Sequence, residues 1–408
     1  MKKHFLKRRM VKIKFKKSVV LIFFIFSFFV VISSVAAADY YVDNSTTHSD
    51  IANWMKNDAK KGDNLIFTGS RYDLTDTIVV SKSINIKSEN KTQINFKKES
   101  RGIFEVVVSG VNFDGLSLNH AGKTDENTAI YAFGASKKIN IKNTDIKVSG
   151  LYSFAFNIEN WQGNVTNCKI DAETAGSGIY SKNWVGNLVN SKIMSKNGNN
   201  IDIHKWKGNM INSELSSTYL ISGGANYWAG KITGSKISCY GYDYGHDLGY
   251  SGISFYNSKG TITNSTITVK RGIALGVSDE VKVSNCSITS EKKHPKIYRY
   301  RSDLVIDSVK KSGNNYKIQF HNKGPIDSKP CTLVIKYGNK ILKKVSIKKT
   351  LTLEQGQTQY RPDVKVSIIK VAIPAKYANN KYTKTVIIDY YNKNKEYNKK
   401  NNRYNFKF

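Results

Sequence analysis

A ten-residue block recurs four times through the middle of the chain, and a repeat at near-constant spacing restricts the fold more than any other feature. It reads WQGNVTNCKI from Trp161, WVGNLVNSKI from Trp184, WKGNMINSEL from Trp206 and WAGKITGSKI from Trp228. Four of the five tryptophans therefore share one repeat position. Weaker copies extend the array in both directions, with the matching strand position at Ile86, Phe113, Ile141, Val165, Leu188, Met210, Ile232, Ile262 and Val283. The spacings are 27, 28, 24, 23, 22, 22, 30 and 21 residues, which describes nine coils.

Within each coil, apolar runs of about 3–5 residues are separated by Gly and Asn, too short for helices and suited to strands broken by turns. Three such strands per coil predict an all-β fold, a right-handed single-stranded parallel β-helix whose strands pair with their counterparts ~4.8 Å away. Asn143, Asn167, Asn190, Asn212, Asn264 and Asn285 fall two residues after the strand position, with Gly115 and Gly234 substituting. Asn and Gly best tolerate the left-handed backbone of a sharp corner. Stacked Asn side chains are expected to bond along the axis as a ladder. The four tryptophans are read as packing rather than as a carbohydrate-binding stack.

Open solenoid ends need covers. His48–Lys61 offers Ser49 or Asp50 as an N-cap, Ile51, Trp54 and Met55 on one side, and Gly62 as a stop. That predicts an N-terminal capping helix over the first coil. The stretch GDNLIFTGSRY from Gly62, with INI at Ile84–Ile86, resembles the opening coils of secreted pectate-lyase-like β-helix proteins, and of archaeal adhesin-like surface proteins in particular. The resemblance spans about residues 39–297 and implies a fold rather than an activity.

After Pro295 the pattern changes. Residues 303–309, 315–322, 331–337, 340–347, 365–373, 384–391 and 401–408 are seven strand-like runs divided by turn residues, the pattern of an immunoglobulin-like β-sandwich over 298–408. Asp303-Leu304, NKG at Asn322–Gly324, LEQGQ at Leu353–Gln357 and the ending IIDYYNKNKEYNKKNN at Ile387–Asn402 resemble a CARDB domain, the cell-adhesion-related immunoglobulin-like module. The family's usual Asp-Pro is Asp389-Tyr390 here, and its second acidic position is Lys399 or Lys400. These departures bear on cation binding and not on the fold.

The chain carries 64 Lys+Arg against 31 Asp+Glu, a net charge of +33. Residues 1–38 hold nine of the basic residues and no acidic one, around the apolar run Val19–Ile32 and ahead of Ala36, Ala37 and Ala38. This is the pattern of a signal peptide, cleaved rather than kept as an anchor, and it predicts a secreted, cell-surface-associated protein. Residues 298–408 hold 25 Lys+Arg against 7 Asp+Glu, a net +18, whereas residues 39–297 carry only +6. A sandwich this basic is drawn to polyanions by its field. An anionic cell-envelope polymer is favoured over nucleic acid, because the chain is exported and has no interleaved aromatic and basic reading motif. Cys168, Cys239, Cys286 and Cys331 lack metal or framework spacing, so neither zinc, a disulfide scaffold nor a cofactor is signalled. Calcium is compatible with the fold, but no Asp set signals it.

Polysaccharide lyases and hydrolases share this fold, and their chemistry needs clustered carboxylates. Alternation along the strand before each Trp block puts Ile179, Ile201 and Ile203 inside. It leaves an outward column of Tyr131, Asn157, Tyr180, Asp202 and Ser254, and a second of Phe133, Glu159, Lys182, His204 and Tyr256. Glu159, Asp202 and His204 are the candidate catalytic groups, with the carboxylates two coils apart and Lys182 between them. Asn143–Asp145 reads NTD, as in polygalacturonases, yet falls on a corner without that family's companion motifs.

The longest coil contains SCYGYDYGHDLGYS at Ser238–Ser251. Tyr- and Gly-rich loops on a rigid scaffold recognise ligands, so Tyr242, Tyr244 and His246 join Tyr131, Asn157, Tyr180, Lys182 and Tyr256 as expected ligand contacts. The expected function is adhesin-like binding of glycan or envelope polymer, including a host or neighbouring-cell surface, without catalysis. The alternative is a polysaccharide lyase or glycoside hydrolase acting in the β-helix groove. A purely structural envelope component is a third class.

Overall fold

The computed structural model describes residues 37–96, 102–121, 127–150, 152–174, 176–218, 223–240, 251–292, 295–313, 315–348, 350, 366–378 and 381–407. The expected signal segment, apart from Ala37 and Ala38, lies outside them, as do Tyr242, Tyr244 and His246.

The repeat is in register throughout. Parallel pairing joins Ile86 to Phe113, Phe113 to Ile141, and continues through Val165, Leu188, Met210, Ile232, Ile262 and Val283. One further coil precedes them, with Leu65 paired to Ile86, so the right-handed solenoid has about ten turns rather than nine. That first coil carries no tryptophan at the repeat position, and Phe67 stands where later coils have a corner Asn or Gly. The last strand of the parallel stack, Ile297–Tyr300, pairs with Ile273–Ser278, so the solenoid runs past Pro295.

All six corner asparagines are left-handed, with φ between 47° and 53°, and Gly115 and Gly234 match them at 70° and 59°. Along this column one ladder step joins two corner asparagines, Asn167 Nδ2 donating to Asn143 Oδ1 at 3.2 Å. Asn167, Asn190 and Asn212 are exposed there, where water competes for the amides. The longer ladder forms on another column. Asn140 donates to Asn112 and Asn112 to Asn85, both at 2.9 Å, and the series resumes as Asn209 to Asn187 to Asn164. Thus the Asn that follows Gly in the repeat is a ladder residue.

A third column lies just after the corner. The backbone N–H groups of Cys168, Ser191, Ser213 and Ser235 donate to the hydroxyls of Ser191, Ser213, Ser235 and Ser265 at 3.0–3.2 Å. Cys168 is therefore one member of a serine column, and all four cysteines are free.

The capping helix spans His48–Asn57 and buries Ile51, Trp54 and Met55. Its N-cap is Thr47, not Ser49 or Asp50. Asp50 stands three residues on, where it closes a capping box by accepting the Thr47 N–H at 2.8 Å while its own N–H reaches Thr47 Oγ1 at 3.2 Å. Trp54 stacks on Tyr40 at 4.8 Å, which fixes the helix over the first coil.

The seven carboxy-terminal runs form two antiparallel sheets. Leu304–Ser312, Asn315–Asn322 and Ser367–Ala372 make one, and Lys340–Ile347, Cys331–Tyr337, Lys384–Ile387 and Arg403–Phe406 make the other. Leu304, Ile318, Phe320, Leu333, Ile335, Val386 and Phe406 are packed in the core between them. The sixth run stops at Ile387 because Asp389 turns left-handed, φ 51°, and its carboxylate accepts the N–H groups of Lys393 and Asn394 at 2.8 and 2.9 Å.

Beside it, burial and then the neighbouring Asp389 carboxyl push Glu396 from its ordinary 4.5 up to about 7, against the opposing pull of bonds from the Leu304 N–H and Asn402 Nδ2. The folded state thus holds a proton that the unfolded chain releases. Stability should be highest below about pH 4.5 as far as this group is concerned, and fall as pH rises through 7. Chemical denaturation of Glu396→Gln across that window should show a flatter pH profile than wild type; an unchanged slope would exclude Glu396 as its source.

Candidate functional site

Both expected columns exist in the solenoid sheet. Tyr131 pairs with Asn157, Asn157 with Tyr180, Tyr180 with Asp202, Asp202 with Gly224 and Gly224 with Ser254. The column also extends toward the amino terminus through Glu105 and Val79, each 26 residues earlier. These two were not foreseen, although the 26-residue step was available in the sequence.

Exposure along the face is uneven. Tyr131 is not an open platform: it is 6% exposed, its ring lies against the backbone of Gly102, and its hydroxyl donates to Glu105 Oε2 at 2.9 Å. A side chain at Gly102 would occupy that space, so the glycine permits the covering. The open rings are Phe133, 47% exposed, and Tyr180, 39% exposed. Phe133 packs on Tyr131 at 5.7 Å and Tyr180 on Phe154 at 5.4 Å, so each has an aromatic neighbour. Val79 and Val107 add exposed apolar surface. Asn157 is half-buried on the same face.

Glu159 is committed to structure. It pairs with Lys182 Nζ at 2.7 Å through Oε1 and accepts the Gly134 N–H at 2.7 Å through Oε2. The Lys182 bond and then the Gly134 bond hold its carboxyl below the usual range, and Lys182 is raised in turn by Glu159. A carboxylate held ionised by two donors is a poor proton donor. Lys182 is likewise occupied.

Asp202 behaves oppositely. Half-buried, its carboxyl is pushed up by desolvation, opposed by a bond from Asn199 and by the nearby His204. His204 Nδ1 lies 2.8 Å from Asn226 Nδ2, which donates to it, and its ring meets Tyr227 edge-on at 5.9 Å. Asn226 was not foreseen, since its coil places glycine beside it at Gly224 and looks empty. The two carboxylates therefore sit two coils apart in unlike surroundings, and Lys182 neutralises one of them.

Tyr256 belongs to the junction with the sandwich. It stacks on Tyr300 at 4.5 Å, and Tyr300 Oη lies 2.9 Å from Ser254 Oγ. Tyr240, at the edge of the long loop, is 41% exposed with Lys270 and Arg271 over its ring at 5.5 and 5.3 Å. The tryptophans do not reach this face: Trp161, Trp184, Trp206 and Trp228 are all buried in the core. Among the described residues, no group of three or more His, Cys, Asp or Glu side chains is placed to hold a metal ion.

No family model matches the chain, and no curated protein matches it. Among solved structures, it is similar to the Dettilon tailspike protein, with a TM-score of 0.30 and 11% identity over 73% of this chain and 84% of that one. It is also similar to the enzymatically active domain of tailspike protein 2 of Bacteriophage CBA120, with a TM-score of 0.32 and 9% identity over 92% of this chain and 77% of that one. The likeness is remote.

Proposed function

We propose that this chain is a secreted, cell-surface, adhesin-like protein that binds polysaccharide on the outer face of its solenoid, without catalysis and without a cofactor. The observation that carries the reading is the strip of Phe133, Tyr180, Val79 and Val107, exposed rings and aliphatics on a rigid sheet, flanked by the Glu159–Lys182 pair. Sugar rings present apolar C–H faces to such platforms and hydroxyls to the flanking charged groups. The archaeal adhesin-like and CARDB-like residue patterns support surface placement, and the +18 of residues 298–408 supports an anionic envelope polymer as partner.

A glycan array with wild type and Phe133→Ala/Tyr180→Ala tests the face. The double variant should lose about tenfold or more in affinity, equivalent to about 1.4 kcal/mol, with its melting temperature nearly unchanged because both rings are solvent-facing. Equal binding by both proteins would sink the assignment to this face.

One observation favours a second reading. A half-buried carboxyl raised by desolvation beside a histidine, as at Asp202, is the kind of group used as a general acid in glycoside cleavage. Reducing-end release from uronate and neutral glycans, lost in Asp202→Asn, would establish the enzyme; no turnover across the panel leaves the binding reading standing.

A further inference from the structure

Between the solenoid and the sandwich lies a cleft of about 1050 Å³, at the upper end of the range for ligand pockets. Its floor is the outer surface of the strands that carry the Trp blocks, with Val185, Lys205, Lys207, Tyr227 and Lys259 on it. Residues 326–330 and 392–395 of the sandwich overhang it. The two parts are joined at one end. The Asp327 N–H donates to Asn257 Oδ1 at 2.7 Å, Lys329 pairs with Glu280 at 2.8 Å, and Lys395 approaches Asp279 at 3.7 Å.

These ties use up the acidic groups. Asp279 also faces Arg301 at 3.8 Å, and Asp327 accepts from Tyr227 Oη at 3.4 Å. Among the described residues, no carboxylate pairs with Lys205, Lys207, Lys259 or Lys393, and Lys205 lies 5.6 Å over the Tyr227 ring. Four uncompensated ammonium groups thus border one concavity whose low-dielectric walls concentrate their field. Beside them are the half-exposed Val185 and the Tyr227 ring, surfaces suited to a sugar face. The other lining aromatics, Trp184, Trp206, Trp228 and Tyr300, are buried, so no run of open rings exists on which nucleic-acid bases would stack.

We infer that this cleft seats a segment of an acidic polysaccharide, with its carboxylates against Lys207, Lys259 and Lys393 and a sugar face on Tyr227 and Val185. The inference rests on the polyanion part of the proposed function and moves the seat of binding from the sandwich surface to the junction.

The test uses the whole protein and short oligogalacturonates, with neutral malto-oligosaccharides and a single-stranded oligonucleotide as comparisons. Lys207→Glu/Lys259→Glu should weaken oligogalacturonate binding by about tenfold or more and flatten its salt dependence. Lys343→Glu/Lys348→Glu makes the same charge change on the exposed edge of the sandwich, and should alter affinity by less than about twofold. Equal losses in the two double variants would overturn the cleft while keeping a diffuse polyanion attraction. No uronate binding by wild type would overturn both, and tighter binding of the oligonucleotide would overturn the assignment to glycan. Unchanged circular dichroism of the variants separates binding loss from unfolding.

Discussion

Gly208→Ala is expected to prevent the protein from reaching its native fold, or to lower stability by about 3 kcal/mol or more. The cause is a close approach rather than a special dihedral. A Cβ at Gly208 would drive into the carbonyl of Gly186 one coil below, and the same holds for Gly186 over Gly163 and Gly230 over Gly208. Those carbonyls are already in use: Trp184 Nε1 donates to Gly163 O at 2.9 Å and Trp206 Nε1 to Gly186 O at 3.0 Å. The Trp-x-Gly unit of the repeat is thus one device, in which an indole reaches down to the glycine carbonyl of the preceding coil across a gap that only hydrogen can fill. Thermal unfolding followed by circular dichroism checks it. Alanine at Gly134, left-handed but with open space around it, is the control for a purely conformational penalty. If Gly208→Ala were no worse than that control, the steric account would be wrong.

Trp206→Ala should cost about 3–5 kcal/mol, the range for removing a fully buried large aromatic. Trp161, Trp184 and Trp206 are stacked within 12° of parallel at 4.8 and 5.1 Å. The next step is broken: Trp228 is tilted by 50° from Trp206 at 6.5 Å and instead stacks on Phe255 at 4.8 Å. Its Nε1 is buried with no hydrogen-bond partner among the described residues. The two tryptophans therefore separate when changed to phenylalanine. Trp206→Phe strands the Gly186 carbonyl and should lose about 1–3 kcal/mol beyond the packing change, whereas Trp228→Phe removes an unsatisfied donor and should lose less. Urea midpoints on the two variants decide it, and the opposite order would refute the role assigned to the indole N–H.

The solenoid was legible because its constraints are local and periodic. A left-handed corner demands Asn or Gly, and those residues stand at all eight corner positions named from the sequence. The side chains that bond between coils were less legible. Asn164, Asn187 and Asn209 look like turn residues, yet their amides carry the ladder, and residue type alone does not distinguish their column from the corner column. The candidate face was readable in register but not in exposure. Alternation placed Tyr131 outward, while its burial depends on Gly102, 29 positions away in the sequence. Glu159 likewise looked like a catalytic carboxylate until the turn at Gly134 supplied a second donor. The junction cleft has no sequence signature, since it is made by two parts whose contacts join residues from about 50 to about 115 positions apart.

With all cysteines free, the chain has no disulfide to limit its extension. Bonds between coils run along the solenoid axis, so an axial pull is carried in series by every coil-to-coil interface, and an end coil, bonded to the stack on one face only, is the first that can peel away. A coil of 22 residues, as between Leu188 and Met210, would then pay out roughly 75 Å of chain in place of a ~4.8 Å rise. Under tension the stack of about ten turns is a sequence of yielding links, each dissipating work while the rest stays folded.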